Sequence, residues 1–291
     1  MPTNQQRREN AKRKLARQLE RRANRTRQKR QLAIGGAALA VVVVIGLIGY
    51  LVWDHFNPKT TGTASATPTT AVRTQDPPST GKLPAFTAAA GLGDNCQYEA
   101  TPSEPASKKV NLPRTGKVPT SPATVSASMS TTDGNLGLIL DNGKAPCTVN
   151  SFASLAAQGF FNDTPCHRLT VGELAVLQCG DPTGTGTGGP GYQFGNEYPT
   201  DQYVPHSPAL SQPVIYPRGT LAMANAGPGT NGSQFFLVYQ DSKLPPNYTA
   251  FGTIDATGLA TLDKIAKAGT KEGGPDGQPA VPVKIKSILL D

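Results

Sequence analysis

The chain has 291 residues and a formal net charge of +8, with 16% charged and 37% hydrophobic residues, 31 glycines and 26 prolines. This average fits neither one ordinary globular domain nor a wholly disordered chain, so it predicts a mixture of segments. The four cysteines are too few for a disulfide scaffold of this length, and none forms the Cys-x-x-Cys pair that is typical of a zinc site.

The positive charge is confined to the N-terminal segment. Residues 1–30 contain twelve Lys or Arg and two Glu and carry +10, whereas 54–121 carry +2 and 122–291 carry −4. Residues 32–53 follow without a charge, and about twenty apolar residues suffice for a helix to cross a bilayer. Because Lys and Arg beside a span remain in the cytoplasm, we expect 1–31 to be a cytoplasmic tail, 32–53 a single transmembrane helix, and all later residues extracytoplasmic.

Two alternatives apply to this N-terminal region. A cleaved signal peptide would have a shorter apolar core of about 7–15 residues, although Ala64-Ser65-Ala66 could serve as its cleavage site. A nucleic-acid-binding arm typically interleaves aromatic and basic side chains, and residues 1–30 contain no aromatic residue. We therefore expect a cell-membrane anchor whose tail contacts anionic lipids, and no nucleic-acid partner.

The segment between the predicted span and the folded part has two sections. Residues 54–92 are rich in Thr, Ala, Pro and Ser without a hydrophobic period, which predicts a disordered linker. Residues 93–121 have an intermediate composition and are predicted to form an N-terminal extension.

From about residue 122 the pattern changes to an alternation of apolar and polar residues, which predicts half-buried strands. We expect strands at 125–129, 136–140, 166–171, 174–180, 219–225, 233–239, 248–254 and 281–285. Helical spacing occurs at Thr148–Gln158 and Leu259–Ala268, and each helix is followed by glycine. About eight strands and two helices predict a mainly β fold for 122–291, a closed eight-stranded antiparallel barrel capped by two helices.

Several common signatures of chemistry do not apply. Gly184 to Gly189 match the G-x-G-x-x-G pattern, but Pro-Gly-Tyr follows instead of the helix that a dinucleotide site requires, so we predict a mobile surface loop. The histidines, His55, His167 and His206, lie in separate segments without a second ligand at metal spacing. We therefore expect no cofactor and no metal.

Two segments, 160–197 and 218–254, contain a series of short motifs. In chain order they are His-Arg at 167–168, Gln-x-Gly-Asp-Pro at 178–182, Gly-Thr-Gly-Gly at 186–189, Met-Ala-Asn-Ala-Gly-Pro at 223–228, Asn-Gly-Ser-Gln-Phe-Phe at 231–236 and Phe-Gly at 251–252. In order and spacing they resemble the cyclophilins, a family of peptidyl-prolyl cis–trans isomerases, over about 122–291. The resemblance implies an isomerase without a cofactor that acts on proline-containing unfolded or exported polypeptides and assists their folding.

The resemblance also implies the residues of the site. Arg168 corresponds to the catalytic arginine, Gln178 to the glutamine that orients it, and Phe236 to the floor of the proline pocket. Substrate contacts are implied for Ala224, Asn225 and Ala226 through their backbone, for Gln234 and Gly186 along the groove, and for Leu244 and Tyr248, where many members have tryptophan and histidine. Cyclosporin-type inhibitors are implied as ligands, and we expect a monomer.

The sequence departs from the family after Arg168. The family has about seven residues, including Phe and Met, before the glutamine, whereas Leu169–Leu177 supplies nine with neither. We expect Leu174 or Val176 to replace them in the pocket wall. The alternative function is therefore a non-catalytic proline-binding or chaperone module tethered to the membrane.

All four cysteines follow the predicted span and hence belong to an oxidising compartment. Four cysteines allow three connectivities. Cys166 and Cys179 flank the predicted hairpin that carries Arg168, so a bridge between them would brace it, and Cys96 with Cys147 would then attach the extension. Buried free thiols are the alternative.

Overall fold

The computed structural model describes residues 73–291, which form a mainly antiparallel β structure with two α-helices. The strands are β1 (Glu99–Ala100), β2 (Val125–Thr131), β3 (Asn135–Leu140), β4 (Thr164–Pro165), β5 (Arg168–Thr170), β6 (Val176–Cys179), β7 (Tyr192–Gln193), β8 (Val214–Tyr216), β9 (Thr220–Met223), β10 (Phe235–Val238), β11 (Ser242–Leu244), β12 (Ala250–Ile254), β13 (Asp276–Gly277) and β14 (Lys284–Leu290). The helices are α1 (Pro146–Ala157) and α2 (Ala256–Ala268), and short 3-10 helices occupy Thr200–Gln202 and Pro208–Ser211.

Ten strands form one curled antiparallel sheet in the order β13-β5-β6-β10-β9-β12-β3-β2-β14-β4. Only Cys166 and His167 separate β4 from β5 in the chain, although the two strands lie near opposite ends of the sheet. The segment 164–170 pairs with β14 at its start and with β6 at its end, and so links the two ends. The other pairs are β1 with β7 and β8 with β11.

The mainly β architecture and the two helices agree with the sequence analysis, while the strand count differs. The strand expected at 166–171 is bent into β4 and β5, and the two-residue β13 adds a partner for β5, so the sheet has ten strands rather than eight. Its terminal strands β13 and β4 do not pair with each other within the described range, so the expected closed barrel is instead a curled, open sheet. The last strand also lies later than 281–285, and Val281 precedes it with 47% of its surface exposed.

The main hydrophobic core lies on the concave face of the sheet, against α1. Phe152 of α1 packs against Phe161, Phe235 and Phe251, with ring centroids 5.1 to 5.4 Å apart. All four rings are almost fully buried, and aromatic pairs at these distances stabilise a core beyond the area they bury. The core thereby fixes β10 and β12 from the inside.

A second apolar cluster lies on the outer face of the same sheet. Its buried members are Val176, Tyr198, Val214, Tyr216, Ala222, Phe236, Val238 and Ala250. Those on β6, β9, β10 and β12 occupy positions that alternate with residues of the main core, while Val214 and Tyr216 come from β8 and Tyr198 from the segment after β7. On those four strands, the cluster residues are therefore the side chains that point outward, as the alternation along a strand requires.

Residues 73–92 pack against the domain, so the prediction of a disordered linker over 54–92 is wrong for this part; 54–72 lie outside the described residues. Leu83 and Phe86 pack against the outer cluster. Pro84 between them is buried, and its carbonyl accepts a hydrogen bond of 2.7 Å from the hydroxyl of Tyr198.

Arg73 provides a further anchor for this segment. Its Nε donates to the carbonyl of Asp201 and its Nη2 to Oε1 of Gln202, both at 2.7 Å. A few isolated anchors without periodic spacing produce no sequence signal, which explains why composition alone predicted disorder.

The predicted tail at 1–31 and transmembrane helix at 32–53 lie outside the described residues. Among residues 73–291, no helix combines the length and the apolar character that crossing a membrane requires.

The cysteines form two disulfides, Cys96–Cys147 and Cys166–Cys179. The first attaches the extension to α1, and the second connects the link between β4 and β5 to the end of β6. Of the three connectivities, this is the pairing that the positions around Arg168 favoured.

We predict that both bridges stabilise the folded chain, and that the bridge with the longer loop contributes more. The cysteines are 51 and 13 residues apart. The entropy of loop closure gives losses of about 4 kcal/mol for Cys96→Ser with Cys147→Ser and about 3 kcal/mol for Cys166→Ser with Cys179→Ser. Urea unfolding of the three proteins measures these losses. Alkylation of four thiols in the native wild-type protein without reductant would contradict both bridges.

Candidate active site

The site is centred on Arg168, which lies on β5 opposite Gln178 of β6. The Nη1 group of Arg168 donates to Oε1 of Gln178 at 3.2 Å. Residues directly opposite each other in adjacent strands share a face of the sheet, so the hairpin β5–β6 presents both side chains outward. The structure thus brings together the two residues for which the resemblance implied a catalytic role.

A third residue, Asp276 of β13, completes the surroundings of the guanidinium. Its carboxylate accepts from Nε of Arg168 at 2.8 Å and from Nη2 at 2.7 Å, a bidentate pair. The hydrogen bond raises the pKa of Arg168, and the guanidinium in turn lowers the pKa of Asp276. Both side chains remain about half exposed, at 42% and 52%, so solvent and substrate reach them.

The sequence analysis missed Asp276. The residue lies 108 positions after Arg168, in a Gly-rich loop that shows neither periodicity nor a motif. Only the pairing of β13 with β5, in which Asp276 lies opposite Thr170, brings the two side chains together.

The glutamines connect the arginine to the neighbouring loop. Nε2 of Gln178 donates to Oε1 of Gln234 at 2.9 Å. Nε2 of Gln234 donates in turn to the carbonyls of Gly186 and Gly188, at 2.9 and 3.0 Å. This chain of hydrogen bonds fixes the orientation of both amides and places Gly186 beside them, as the resemblance implied for the groove.

The apolar side of the site is built on Phe236, which lies between Gln178 and Ala222 in neighbouring strands. Phe236 is 5% exposed, and the ring of Tyr248 meets it edge-on at 5.8 Å. The outer cluster also includes Val176, and its partly buried members are Leu83, Phe86, Leu174, Ala224, Leu244 and Tyr248. The structure thus brings together the predicted pocket residues.

The segment 224–226 has fewer free backbone groups than expected. The amide of Ala224 donates to the carbonyl of Gln234, and the amide of Ala226 to Oγ1 of Thr230, both at 2.9 Å. The backbone of Asn225 has no such partner among the described residues, while its side chain donates to the carbonyl of Asn247. Of the three amides, Asn225 therefore keeps the one available to a bound peptide.

A groove with a cavity of about 720 Å³ adjoins the two glutamines. Its lining includes the predicted residues Gln178, Gly186, Ala224, Asn225, Ala226 and Gln234. Thr101, Glu104, Pro105 and Ser107 of the extension line it as well, and the sequence analysis did not place them there.

The loop with the G-x-G-x-x-G pattern folds around a buried carboxylate. Asp181 accepts hydrogen bonds from the amide of Thr183 at 2.8 Å and from the amide of Gly186 at 2.7 Å. Burial opposes the ionisation of Asp181, but these hydrogen bonds outweigh it and lower its pKa. The expected mobile surface loop is therefore anchored at its base.

His167 lies beneath this loop, next to the arginine. Both ring nitrogens are buried and have no hydrogen-bond partner among the described residues, and burial lowers the pKa of the imidazole. The ring is therefore neutral at physiological pH. Within residues 73–291, no group of three or more acidic, histidine or cysteine side chains is placed to hold a metal ion.

Comparisons with known proteins identify the family of the chain. Residues 126–289 match the family model described as cyclophilin type peptidyl-prolyl cis-trans isomerase/CLD. Over the full length of both chains, the sequence is 60% identical to the "Probable peptidyl-prolyl cis-trans isomerase B" of Mycobacterium leprae. It is 69% identical to the protein of the same name in Mycobacterium tuberculosis over 210 residues, which cover 72% of this chain and 68% of that protein.

Among solved structures, a cyclophilin-type isomerase of Cryptosporidium parvum is 30% identical and matches with a TM-score of 0.46, over 58% of this chain and 98% of that one. The family match covers more than half of the chain, and the relative from Mycobacterium leprae spans all of it. The chain therefore belongs to the cyclophilin-type family and is a peptidyl-prolyl cis–trans isomerase.

Proposed function

We propose that this isomerase acts through Arg168 on prolines bound against Phe236, and that its substrates are exported polypeptides at the outer side of the cell membrane. The observation that carries the chemical part is the position of a partly exposed guanidinium beside an apolar pocket on the same face of the sheet.

The chemical problem is a rotation rather than a bond cleavage. Resonance gives the peptide bond a rotational barrier of about 18–20 kcal/mol, and an X–Pro bond still isomerises only in tens to hundreds of seconds. At the twisted transition state the amide resonance is lost, so the lone pair of the prolyl nitrogen is no longer delocalised into the carbonyl and can accept a hydrogen bond. A donor aimed at that nitrogen binds the transition state more tightly than either planar isomer and so accelerates the rotation.

Arg168 retains donors for this purpose. A guanidinium has five N–H groups. Three of them are used in the bonds to Asp276 and Gln178, which leaves one N–H on Nη1 and one on Nη2. The same three bonds fix the plane of the guanidinium, so the free donors have a defined direction before the substrate binds.

The apolar wall next to Phe236 contains Leu174 and Val176, and the segment from Leu169 to Leu177 supplies neither the Phe nor the Met that the resemblance implied. The proline ring therefore has less surface to contact on this side. The alternative function, a non-catalytic proline-binding module, is distinguished by the isomerisation assay that tests Arg168→Ala.

Two features support a location at the outer side of the membrane. The uncharged run at 32–53, preceded by a segment of +10, supports a single span with a cytoplasmic N-terminus. The two disulfides support an oxidising compartment for the domain. Polypeptides that reach this compartment after export would be its substrates.

The first prediction concerns Arg168. We expect Arg168→Ala to lower kcat/KM by about 10² to 10³, the effect typical of removing one transition-state donor. The measurement is isomerisation of a proline tetrapeptide by the domain from residue 73 onward. Arg218→Ala is a matched control, because Arg218 makes a similar exposed bidentate pair with Asp263 away from the groove, at 2.8 and 2.9 Å.

If the wild-type protein binds the peptide without accelerating isomerisation, the non-catalytic module is the correct function. If Arg168→Ala and Arg218→Ala reduce kcat/KM equally, the role of Arg168 is structural only.

The second prediction concerns Asp276, which we interpret as a positioning residue. Asp276→Asn should lower kcat several-fold with little change in KM, because the guanidinium loses its fixed orientation while the proline pocket is intact. Since Arg168 lowers the pKa of Asp276, the ion pair should persist as the pH falls to about 5 and be lost only below about 4.

The wild-type kcat should therefore be flat from about pH 8 down to the ordinary Asp pKa of about 4 and fall below it, whereas Asp276→Asn should show no such acid limb. Asp263→Asn is the control. An acid limb that is identical in wild type and Asp276→Asn would contradict the positioning role.

The third prediction concerns the anchor. The full chain should sediment with membranes and resist extraction at alkaline pH, and a chain that lacks residues 1–53 should be soluble. Protease added to cells without an outer barrier should digest the domain but not the tail. A mature N-terminus immediately after Ala66 would instead identify a cleaved signal peptide.

A further inference from the structure

The extension contributes a wall to the groove that the family domain does not include. Residues 99–107 precede the part of the chain that the family model matches, which begins at residue 126. Four of them, Thr101, Glu104, Pro105 and Ser107, line the cavity beside Gln178 and Gln234. We call residues 99–107 the extension wall.

Backbone hydrogen bonds fix the extension wall to the opposite side of the groove. Strand β1 pairs with β7, with Glu99 opposite Gln193. The amide of Thr101 donates to the carbonyl of Gly191 at 2.9 Å. The amide of Ser107 donates to the carbonyl of Gly189 at 2.8 Å. The amide of Gly189 donates back to Oγ of Ser107 at 3.0 Å.

The packing at this junction is close. A Cβ atom on Gly191 would lie 2.8 Å from the backbone nitrogen of Ala106, so only glycine fits here without a shift. Because of the reciprocal hydrogen bonds and the close packing, the extension wall is held in a fixed position at the groove.

Among residues 73–291, Glu104 is the only charged residue that lines the cavity. Its side chain is exposed, and it forms no ion pair among the described residues. A turn fixes its backbone, because its amide donates to the carbonyl of Thr101 at 2.9 Å and its carbonyl accepts from Oγ1 of Thr101 at 3.0 Å.

Two other charged groups lie near the groove. The carboxylate of Asp181 is buried behind Gly186 and Gly188 and accepts hydrogen bonds from its own loop, and the charge of Arg168 is balanced. Arg168 is paired with Asp276, so its field beyond the bound proline is reduced. A side chain that enters the cavity therefore meets neutral groups and one unpaired carboxylate. A cationic side chain gains from that carboxylate, whereas an anionic one is repelled.

We propose that the extension wall makes this isomerase prefer polypeptides with a Lys or Arg close to the isomerised proline, and that Glu104 determines the preference. The inference rests on the proposed function, because the basic side chain enters the cavity while the proline lies against Phe236. A cavity of about 720 Å³ admits a long side chain together with water.

The test is a set of short proline peptides with Lys, Met or Glu placed in turn at each of three positions before and two positions after the proline. Isomerisation rates and peptide Kd are measured for wild type, Glu104→Gln and Glu104→Lys. Glu99→Gln is the matched control, because Glu99 is an exposed carboxylate of the same wall that does not line the cavity. Thermal unfolding confirms that the variants fold.

At low ionic strength, we expect wild type to prefer Lys over Met at one position by about twofold to fivefold, the range of an exposed ion pair. The preference should nearly disappear in about 1 M salt, where the Debye length is about 3 Å. Glu104→Gln should abolish it, Glu104→Lys should favour the Glu peptide, and Glu99→Gln should retain it.

Equal rates and Kd values for Lys, Met and Glu peptides in wild type would overturn the proposal. The same holds if Glu104→Gln keeps the preference, or if Glu99→Gln loses it to the same extent, since net charge would then be the cause. The Kd values test the preference for Lys even if no peptide is isomerised. The absence of isomerisation would refute the proposed function separately.

Discussion

The geometry of the site depends on the register between β6 and β10, which places Gln178 opposite Phe236. Because side chains alternate along a strand, this register directs one set inward and the other outward. The inward residues are Leu177, Cys179, Phe235 and Leu237, and the outward residues are Val176, Gln178, Phe236 and Val238. A slip of one residue would bury the amide of Gln178 in the core, at a cost of about 1–3 kcal/mol if it stayed unpaired. The core therefore selects the register that assembles the active face.

The strand that carries Arg168 is restrained from three sides. It pairs with β6 and with β13, and the disulfide from Cys166 to Cys179 closes the hairpin two residues before the arginine. Asp276 then fixes the guanidinium itself. Catalysis by a positioned donor needs such restraint, because a donor that must first be oriented loses part of its binding energy to that ordering. Strand pairing, a disulfide and an ion pair thus all restrain the orientation of the Arg168 guanidinium.

The parts of the site that the sequence predicted are those carried by short motifs and by strands. Arg168 and Gln178 lie on neighbouring strands of one hairpin, and Phe236 follows in the adjacent strand, so alternation and a dense series of motifs located all three. Asp276 and the extension wall reach the site from loops and from segments far away in the chain, where no period reveals a contact. The segment 73–92 was misjudged for the same reason, because single anchors such as Arg73 and Phe86 are sufficient to order a segment of low hydrophobicity.

The distribution of charge connects the site to the whole chain. The +8 of the chain is the sum of a +10 segment at 1–30 and a −4 region at 122–291, with +2 between them. A domain of negative charge attracts basic polypeptides over distances comparable to the Debye length, about 8–10 Å in physiological salt. Since Arg168 is paired with Asp276, its charge does not oppose that attraction. In the proposed function, the pairing that orients the guanidinium also leaves Glu104 as the unpaired carboxylate of the groove among the described residues, so that one ion pair would serve both catalysis and substrate recognition.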